Sequence, residues 1–427
     1  MEKKKVILIG AGLRGIGYTN KMLELENEFQ VVAVAEPIKE RREEIRIKHN
    51  IPNEMCFETW EPLLDMPKFA DLAIIATMDR QHFDPSMKAI EQGYDILLEK
   101  PISPDPKECL ALNEAAEKHG VKIVVCFVLR YAGFFLALKK LILEGKVGDI
   151  VNIVHVEGVG NRHQSHSFVR GNWKNSQESS FMLLQKSSHD IDILQWLIGK
   201  KCKKVQSFGS LSYFNRANKP EGSPERCIEG CPYGDECFYN SVNLYLEDKD
   251  NGWFRSAAAR TPTNPSDELV EKALRESEYG KCVFNCNNDV VDHQVVNLEY
   301  EDGVTATFTM SAFNKGGRSI RIMGTKGELF GDAGDSYISF YNFETRETEK
   351  YEYADILQVQ DITGGHGGGD SRMIEELYSY LNGTYNGVSI TPFSESCDNH
   401  ITTFAAEYSR VNGGKTVNIE DFKKSNI

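Results

Sequence analysis

Short, unbroken apolar runs alternate with amphipathic stretches over about the first 128 residues. Val6–Ile9, Val31–Ala35, Leu72–Ala76, Ile96–Leu98 and Lys122–Cys126 have the composition of buried strands. Between them Tyr18–Glu28, Lys39–Lys48, Phe83–Gln92 and Pro106–His119 carry helical spacing. Short apolar strands alternating with helices predict a parallel, doubly wound sheet.

The pattern then changes. Ile150–Val159 alternates with period two, and a helix is expected over Phe181–Ile198. Val205–Tyr213, Val290–Tyr300, Val304–Phe313 and Ser319–Met323 look like longer strands, some joined by turns such as Glu301-Asp302-Gly303. Sequential strands of this kind predict an open, mainly antiparallel sheet. Residues 214–285, rich in Pro, Gly and Cys, interrupt it as an insertion. Helical stretches at Ser371–Leu381 and Ser394–Val411 should pack back on the body. The expected fold class is α/β, with one domain over 1–128 and a second over 129–427.

A chain of 427 residues is long for one core, which agrees with two domains. Its 49 basic and 63 acidic residues give a net charge of −14. Neither nucleic acid nor an anionic membrane readily binds a net acidic surface, so neither is an expected partner. The opening apolar stretch Val6–Ile9 is too short for a signal-peptide core and runs straight into a glycine turn. No run of about 18 apolar residues occurs, so no membrane span is predicted. A cytoplasmic location is expected, where the ten cysteines would serve as thiols or metal ligands rather than disulfides.

Gly10-Ala11-Gly12-Leu13-Arg14-Gly15 fits G-x-G-x-x-G between a strand and a helix. The first glycine permits a tight turn, the second lets backbone approach a pyrophosphate, and the third allows close helix–strand packing. The phosphates would meet free amides at the helix N-terminus. Glu36 ends the second strand, where an acidic side chain binds both ribose hydroxyls and repels a 2′-phosphate. This favours NAD over NADP, with Arg41 and Arg42 as a counter-argument. Glu99-Lys100-Pro101 closes another strand, so Lys100 is a positioned proton donor or acceptor beside a nicotinamide.

With Ala76-Thr77, His82, Glu99-Lys100-Pro101 and the helix carrying Ser188-His189-Asp190-Ile191-Asp192, the chain resembles the glucose–fructose oxidoreductase / inositol dehydrogenase (Gfo/Idh/MocA) family along nearly its whole length. The resemblance implies a Rossmann domain, then an α/β domain with an open sheet and the nicotinamide at the interface. It implies hydride transfer at a ring hydroxyl of a sugar or cyclitol, and a homodimer or homotetramer. By position Lys100 matches the family lysine beside the nicotinamide, and His189 its catalytic histidine. Thr77, His82 and Glu99 join Gly10, Gly12, Leu13, Arg14, Gly15, Glu36 and Lys100 as expected cofactor contacts. The family commonly has Asp four residues before the histidine; here that position is Gln185, which cannot take a proton. Lys186, on the same face, is the expected substitute. A lysine pair lowers the pKa of either member, which suits a base. A glycoside-cleaving branch that uses the cofactor without net redox change, and a non-catalytic NAD-binding regulator, are the competing readings.

Sugars need polar contacts and an aromatic face. His163, His166, Arg170 and Trp173 follow the first strand of the second domain, and Arg130, Tyr131, Asp192, His293 and His366 are further candidates for substrate contact. The cysteines Cys227-x3-Cys231-x5-Cys237 and Cys282-x3-Cys286 crowd the insertion among turn formers. Three or four of their thiolates together would suit a structural tetrahedral zinc, in an insertion lacking its own core. The spacing is not a standard zinc or iron–sulfur signature, and the hydride chemistry needs no metal.

Overall fold

The computed structural model describes residues 2–261, 264–357 and 367–426. The first sheet comprises β1 (Lys4–Ile9), β2 (Phe29–Ala35), β3 (Cys56–Phe57), β4 (Leu72–Ile75), β5 (Asp95–Leu98) and β6 (Ile123–Val125). Every pairing is parallel, and the order is β3-β2-β1-β4-β5-β6. Val6, Ile7, Leu8 and Leu72 to Ile75 are fully buried, as expected of strands covered by helices on both faces. The strand order reverses between β1 and β4, and ligands bind beyond the carboxyl ends of strands at such a point.

The second sheet comprises β7 (Ile150–Gly158), β8 (Cys202–Ser210), β9 (His293–Tyr300), β10 (Thr305–Ser311), β11 (Gly317–Gly324), β12 (Gly327–Asp332), β13 (Tyr337–Asn342), β14 (Thr348–Glu352) and β15 (Val417–Asn418). Its order is β14-β13-β12-β11-β7-β10-β9-β8-β15. β7 and β10 pair parallel and the other pairs are antiparallel. One face of β7 turns His155 and Glu157 inward toward helix Ser188–Ile198. Side chains two apart share a face of a strand, so these two polar groups enter the body together.

Some boundaries differ from the sequence reading. The first helix starts at Leu13, directly on the glycine turn, and ends at Glu24. The stretch from Phe181 to Ile198 is two helices, Met182–Gln185 and Ser188–Ile198, because Ser187, at φ −101 and ψ 8, leaves regular helical geometry. Asp302 adopts φ 55 in the expected β9–β10 turn. The insertion holds two further helices, Gly252–Ala259 and Asp267–Glu276. Helix Gly369–Leu381 returns to the first domain, burying Met373, Ile374 and Leu377 with Val6, Leu8 and Tyr18.

Candidate active site

The cofactor cleft begins at Gly10, whose φ of +92 disfavours any side chain; a Cβ there would also stand 2.6 Å from the Ala76 carbonyl oxygen. A Cβ on Gly15 would meet the Gly10 oxygen at 2.2 Å, so this glycine is fixed by helix–strand packing. A Cβ on Gly12 would meet nothing within 4 Å, leaving backbone open to an approaching pyrophosphate. Helix Leu13–Glu24 has no side-chain cap, so its first amides face that space unsatisfied. Glu36 is buried at the end of β2 and accepts from Ala11 N–H at 2.7 Å and Ile38 N–H at 2.9 Å. These residues fit a dinucleotide. Arg42 is tied to the Glu36 and Pro37 carbonyls and to Glu58.

Glu99 is buried where β5 ends. Arg14 Nε donates to it at 2.8 Å, the Tyr18 hydroxyl donates to the same oxygen, and the Lys100 amide donates to the other at 2.9 Å. Burial pushes the Glu99 carboxyl up, but Arg14, Lys100 and Tyr18 more than offset this and hold it below its ordinary range. Arg14 Nη2 also bonds Asp370 at 2.8 Å, linking the cofactor helix to helix Gly369–Leu381. His82 Nδ1 faces the Pro101 carbonyl at 2.7 Å and Nε2 the Thr77 carbonyl at 3.2 Å, so His82 braces the loops after β4 and β5 against each other. The Lys100-Pro101 bond is cis.

Lys100 Nζ donates to the Gln185 carbonyl at 2.6 Å, immediately before Lys186 and on the approach to His189. Burial, with the charges of Lys186 and Arg14, lowers the Lys100 pKa against the opposing pull of Glu99 and Asp79. Lys186 thus lies close enough for its charge to act on Lys100. The side chain of Gln185 supplies no proton acceptor, but a carboxylate comes from the sheet: Lys186 Nζ stands 3.0 Å from Glu157 Oε1. Arg318 Nε lies 2.8 Å from Glu157 Oε2 and 2.8 Å from Asp190 Oδ1, donating to the latter. Asp190 also meets His155 Nε2 at 2.8 Å. Burial would raise the Asp190 carboxyl, yet Arg318 and His155 hold it far below the usual range.

His189 is 8% exposed and packs edge-on against Phe127, at 5.9 Å between centroids. Phe127 follows β6, beside the end of β5 that carries Lys100. His163 is pushed down to about 3, by burial first and then by the charges of Lys186, His166 and Arg318. It is therefore a neutral imidazole on the rim of the same charged group. Asp79, which the sequence reading missed, is buried after β4 and accepts from Ser179 at 2.7 Å and Ser180 at 3.2 Å in the second domain.

Several candidates are engaged elsewhere. Arg130 and Asp192 are fully buried and bound to each other through both carboxylate oxygens, with Arg130 Nε at 2.6 Å. Thr391 and Asn399 complete that clasp. Tyr131 lies in the apolar core beneath helix Gly369–Leu381. His166 stacks on Phe254 at 4.1 Å and bonds the Tyr245 hydroxyl at 2.9 Å, inside the insertion. Arg170 is buried among the cysteine segments. Trp173 packs against the second-domain core, and His293 is half-exposed beside Asp292. His366 lies outside the described residues. Of the five clustered cysteines, Cys227, Cys231, Cys237 and Cys282 line one cavity, whereas Cys286 does not. Among the described residues, no three His, Cys, Asp or Glu side chains are arranged to hold a metal ion.

A dinucleotide cradle at the switch point of a parallel sheet, with a lysine at its carboxyl edge, defines a nicotinamide-dependent oxidoreductase. Residues 4–127 match the oxidoreductase-family NAD-binding Rossmann fold, and residues 139–419 match the family's C-terminal alpha/beta domain. The chain belongs to the Gfo/Idh/MocA oxidoreductase family. It is 27% identical over 352 residues to the putative oxidoreductase YteT of Bacillus subtilis, covering 76% of this chain and 78% of that protein. It is 29% identical over 196 residues to scyllo-inositol 2-dehydrogenase (NADP(+)) IolW of Bacillus subtilis, covering 46% of this chain and 52% of the relative. The fold matches a levoglucosan dehydrogenase solved with NADH and L-sorbose, with TM-score 0.71 and 16% identity over 98% of this chain and 99% of that one.

Proposed function

We propose that this protein is an NAD-dependent dehydrogenase that oxidises a ring hydroxyl of a sugar or cyclitol, or reduces the corresponding ketone. The observation that carries the reading is Lys100, held on the Gln185 carbonyl next to Lys186 with its pKa below that of a free lysine. Bound NAD would supply the hydride acceptor. Lys100 in its neutral form donates one N–H to Gln185 and keeps its lone pair for the carbinol proton. In the reverse direction the protonated amine returns that proton to the ketone oxygen. Lys186, balanced by Glu157, and His189 hold the reacting or neighbouring oxygen, and neutral His163 offers a further polar contact to the ring. Gly10, Gly12, Leu13, Arg14, Gly15, Thr77 and His82 line the cofactor side.

Glu36 at the ribose position and the engagement of Arg42 with backbone and Glu58 support NAD over NADP. The exposed Ile38, two residues on, suits an adenine face. Sugar and cyclitol substrates are supported by the inositol and levoglucosan dehydrogenases among the similar proteins. Ten free thiols suit a reducing cytoplasm. Among the described residues, no helix is long and apolar enough to cross a membrane. Exposed Val154 and Tyr341 on the outward face of the second sheet offer a surface for self-association into a dimer or tetramer.

The test is NADH release across a panel of cyclitols, aldoses and glycosides. Turnover with stoichiometric NADH is expected from at least one free sugar or cyclitol. Glycoside cleavage without net NADH, or NAD binding with no turnover on any of them, would defeat the reading.

A further inference from the structure

The insertion brings four thiols to one place by tying its two ends together. Cys282 N–H donates to the Glu225 carbonyl at 2.8 Å, and Arg226 bridges Lys281. Arg226 Nη1 further binds the Leu274 and Ser277 carbonyls at 3.0 and 2.6 Å. Tight turns fold the intervening segment, with Gly234 N–H on the Cys231 carbonyl at 3.0 Å and Cys237 N–H on that of Tyr233 at 2.9 Å. As a result Cys227, Cys231, Cys237 and Cys282 surround one small cavity. All four are free thiols. Cys286 is separate, its thiol donating to the Cys282 carbonyl at 3.4 Å.

A single zinc ion needs its sulfurs about 2.3 Å from one point. The four thiols share a cavity, yet among the described residues no three such ligands converge on a single ion. A cubane cluster makes a different demand, because each thiolate takes its own iron and the sulfurs stand around a space.

Arg170 gives the second, independent observation. It is 1% exposed, donating to the Lys281 carbonyl at 2.8 Å and the Tyr239 carbonyl at 2.7 Å, with Nη2 3.9 Å from Cys227 Sγ. Its Nη1 has no hydrogen-bond acceptor among the described residues, and the groups that most favour its charge are Cys227, Tyr245, Cys286 and Cys282, none of them a carboxylate. An unbalanced buried cation costs several kcal/mol. Lys281, Tyr239 and Cys227 each belong to, or adjoin, a cysteine-bearing segment. A cluster held by four thiolates is a net anion and would balance that charge.

We propose that Cys227, Cys231, Cys237 and Cys282 ligate an iron–sulfur cluster of the cubane class, with Arg170 as its buried counter-cation. The cluster would staple an insertion whose own apolar core is small, and the hydride chemistry does not pass through it. The test is anaerobic purification of the full chain with iron, acid-labile sulfide and zinc analysis and an absorption spectrum. About four irons and four sulfides per chain, with broad visible charge-transfer absorption, are expected. Cys231→Ser should lose most of both, while Cys286→Ala should retain them. Arg170→Met should move the cluster's reduction potential to a more negative value. One zinc per chain without sulfide, four thiols that all alkylate in metal-free protein, disulfides among them, or equal iron in wild type and Cys231→Ser would each overturn the assignment.

Discussion

At the scale of single residues, the electrostatics around Lys100 make predictions with opposite signs. Lys100 works as a base only when neutral, so the oxidation rate rises with pH through its pKa, which lies below the ordinary value of about 10.4. Lys186 lowers that pKa and Asp79 raises it. Lys186→Met should therefore shift the rising, acid-side limb of kcat/KM to higher pH, and Asp79→Asn should shift it to lower pH. Asn retains an oxygen for Ser179 and Ser180, which limits structural damage. Equal shifts in one direction, or none, would show that another group sets the limb. Lys100→Met should reduce kcat by about 100-fold or more, as removal of a positioned acid–base group does. Lys100, Lys186 and His189 could be put forward from the sequence because each sits in a local motif. Glu157, Asp79 and Arg318 were not, since their roles depend on partners brought together only by the fold. Arg318 and Asp190 are 128 positions apart. The same blindness made Arg130 and Asp192 resemble sugar ligands, when each is the other's partner across 62 positions.

At the scale of elements, β7 carries more of the site than its alternation disclosed. The period-two pattern identified the strand, and a charged residue on its inward face is the signal that could have singled out Glu157. Five of the six strands of the first sheet were legible because both faces are buried; β3, two half-buried residues, was not. β14 was not, because it is exposed along most of its length, and β15 has only two residues. β7, helix Ser188–Ile198 and β11 are joined by His155, Asp190 and Arg318. Asp190→Asn removes one negative charge from this buried group and leaves Glu157 alone to balance both Arg318 and Lys186. A loss of about 3–5 kcal/mol is expected in denaturant unfolding. The Asp190 pKa is depressed on folding, so its contribution is fully present above the unfolded value near 3.9 and is lost as pH falls through the folded one. The stability gap between wild type and variant should therefore be constant above about pH 5 and narrow in acid. A gap that widens in acid would refute this account.

At the scale of the whole molecule, the cofactor cleft is also a structural junction. Arg14 joins the first helix to Glu99 after β5 and to Asp370 in the returning helix. Asp79 and His400 extend the junction, the latter accepting from the Ile102 amide at 2.9 Å and held neutral, with its pKa near 4 through burial. A ligand seated on Gly12 and Glu36 therefore touches loops whose other side chains hold the second domain and the C-terminal helices. Any ligand that binds only the folded state stabilises it by RT ln(1 + [L]/Kd), about 2.7 kcal/mol at a hundredfold excess over Kd. NAD should accordingly raise the melting temperature in a concentration-dependent way. NADP at equal concentration should raise it less, because its 2′-phosphate would meet the Glu36 carboxylate while Arg42 is held by Glu58 and two carbonyls. Thermal melts with each dinucleotide, repeated at two salt concentrations, separate this charge effect from simple affinity: the NAD–NADP gap should shrink as salt screens the repulsion. A larger rise with NADP would assign the 2′-position to Arg41 instead and reverse the cofactor preference.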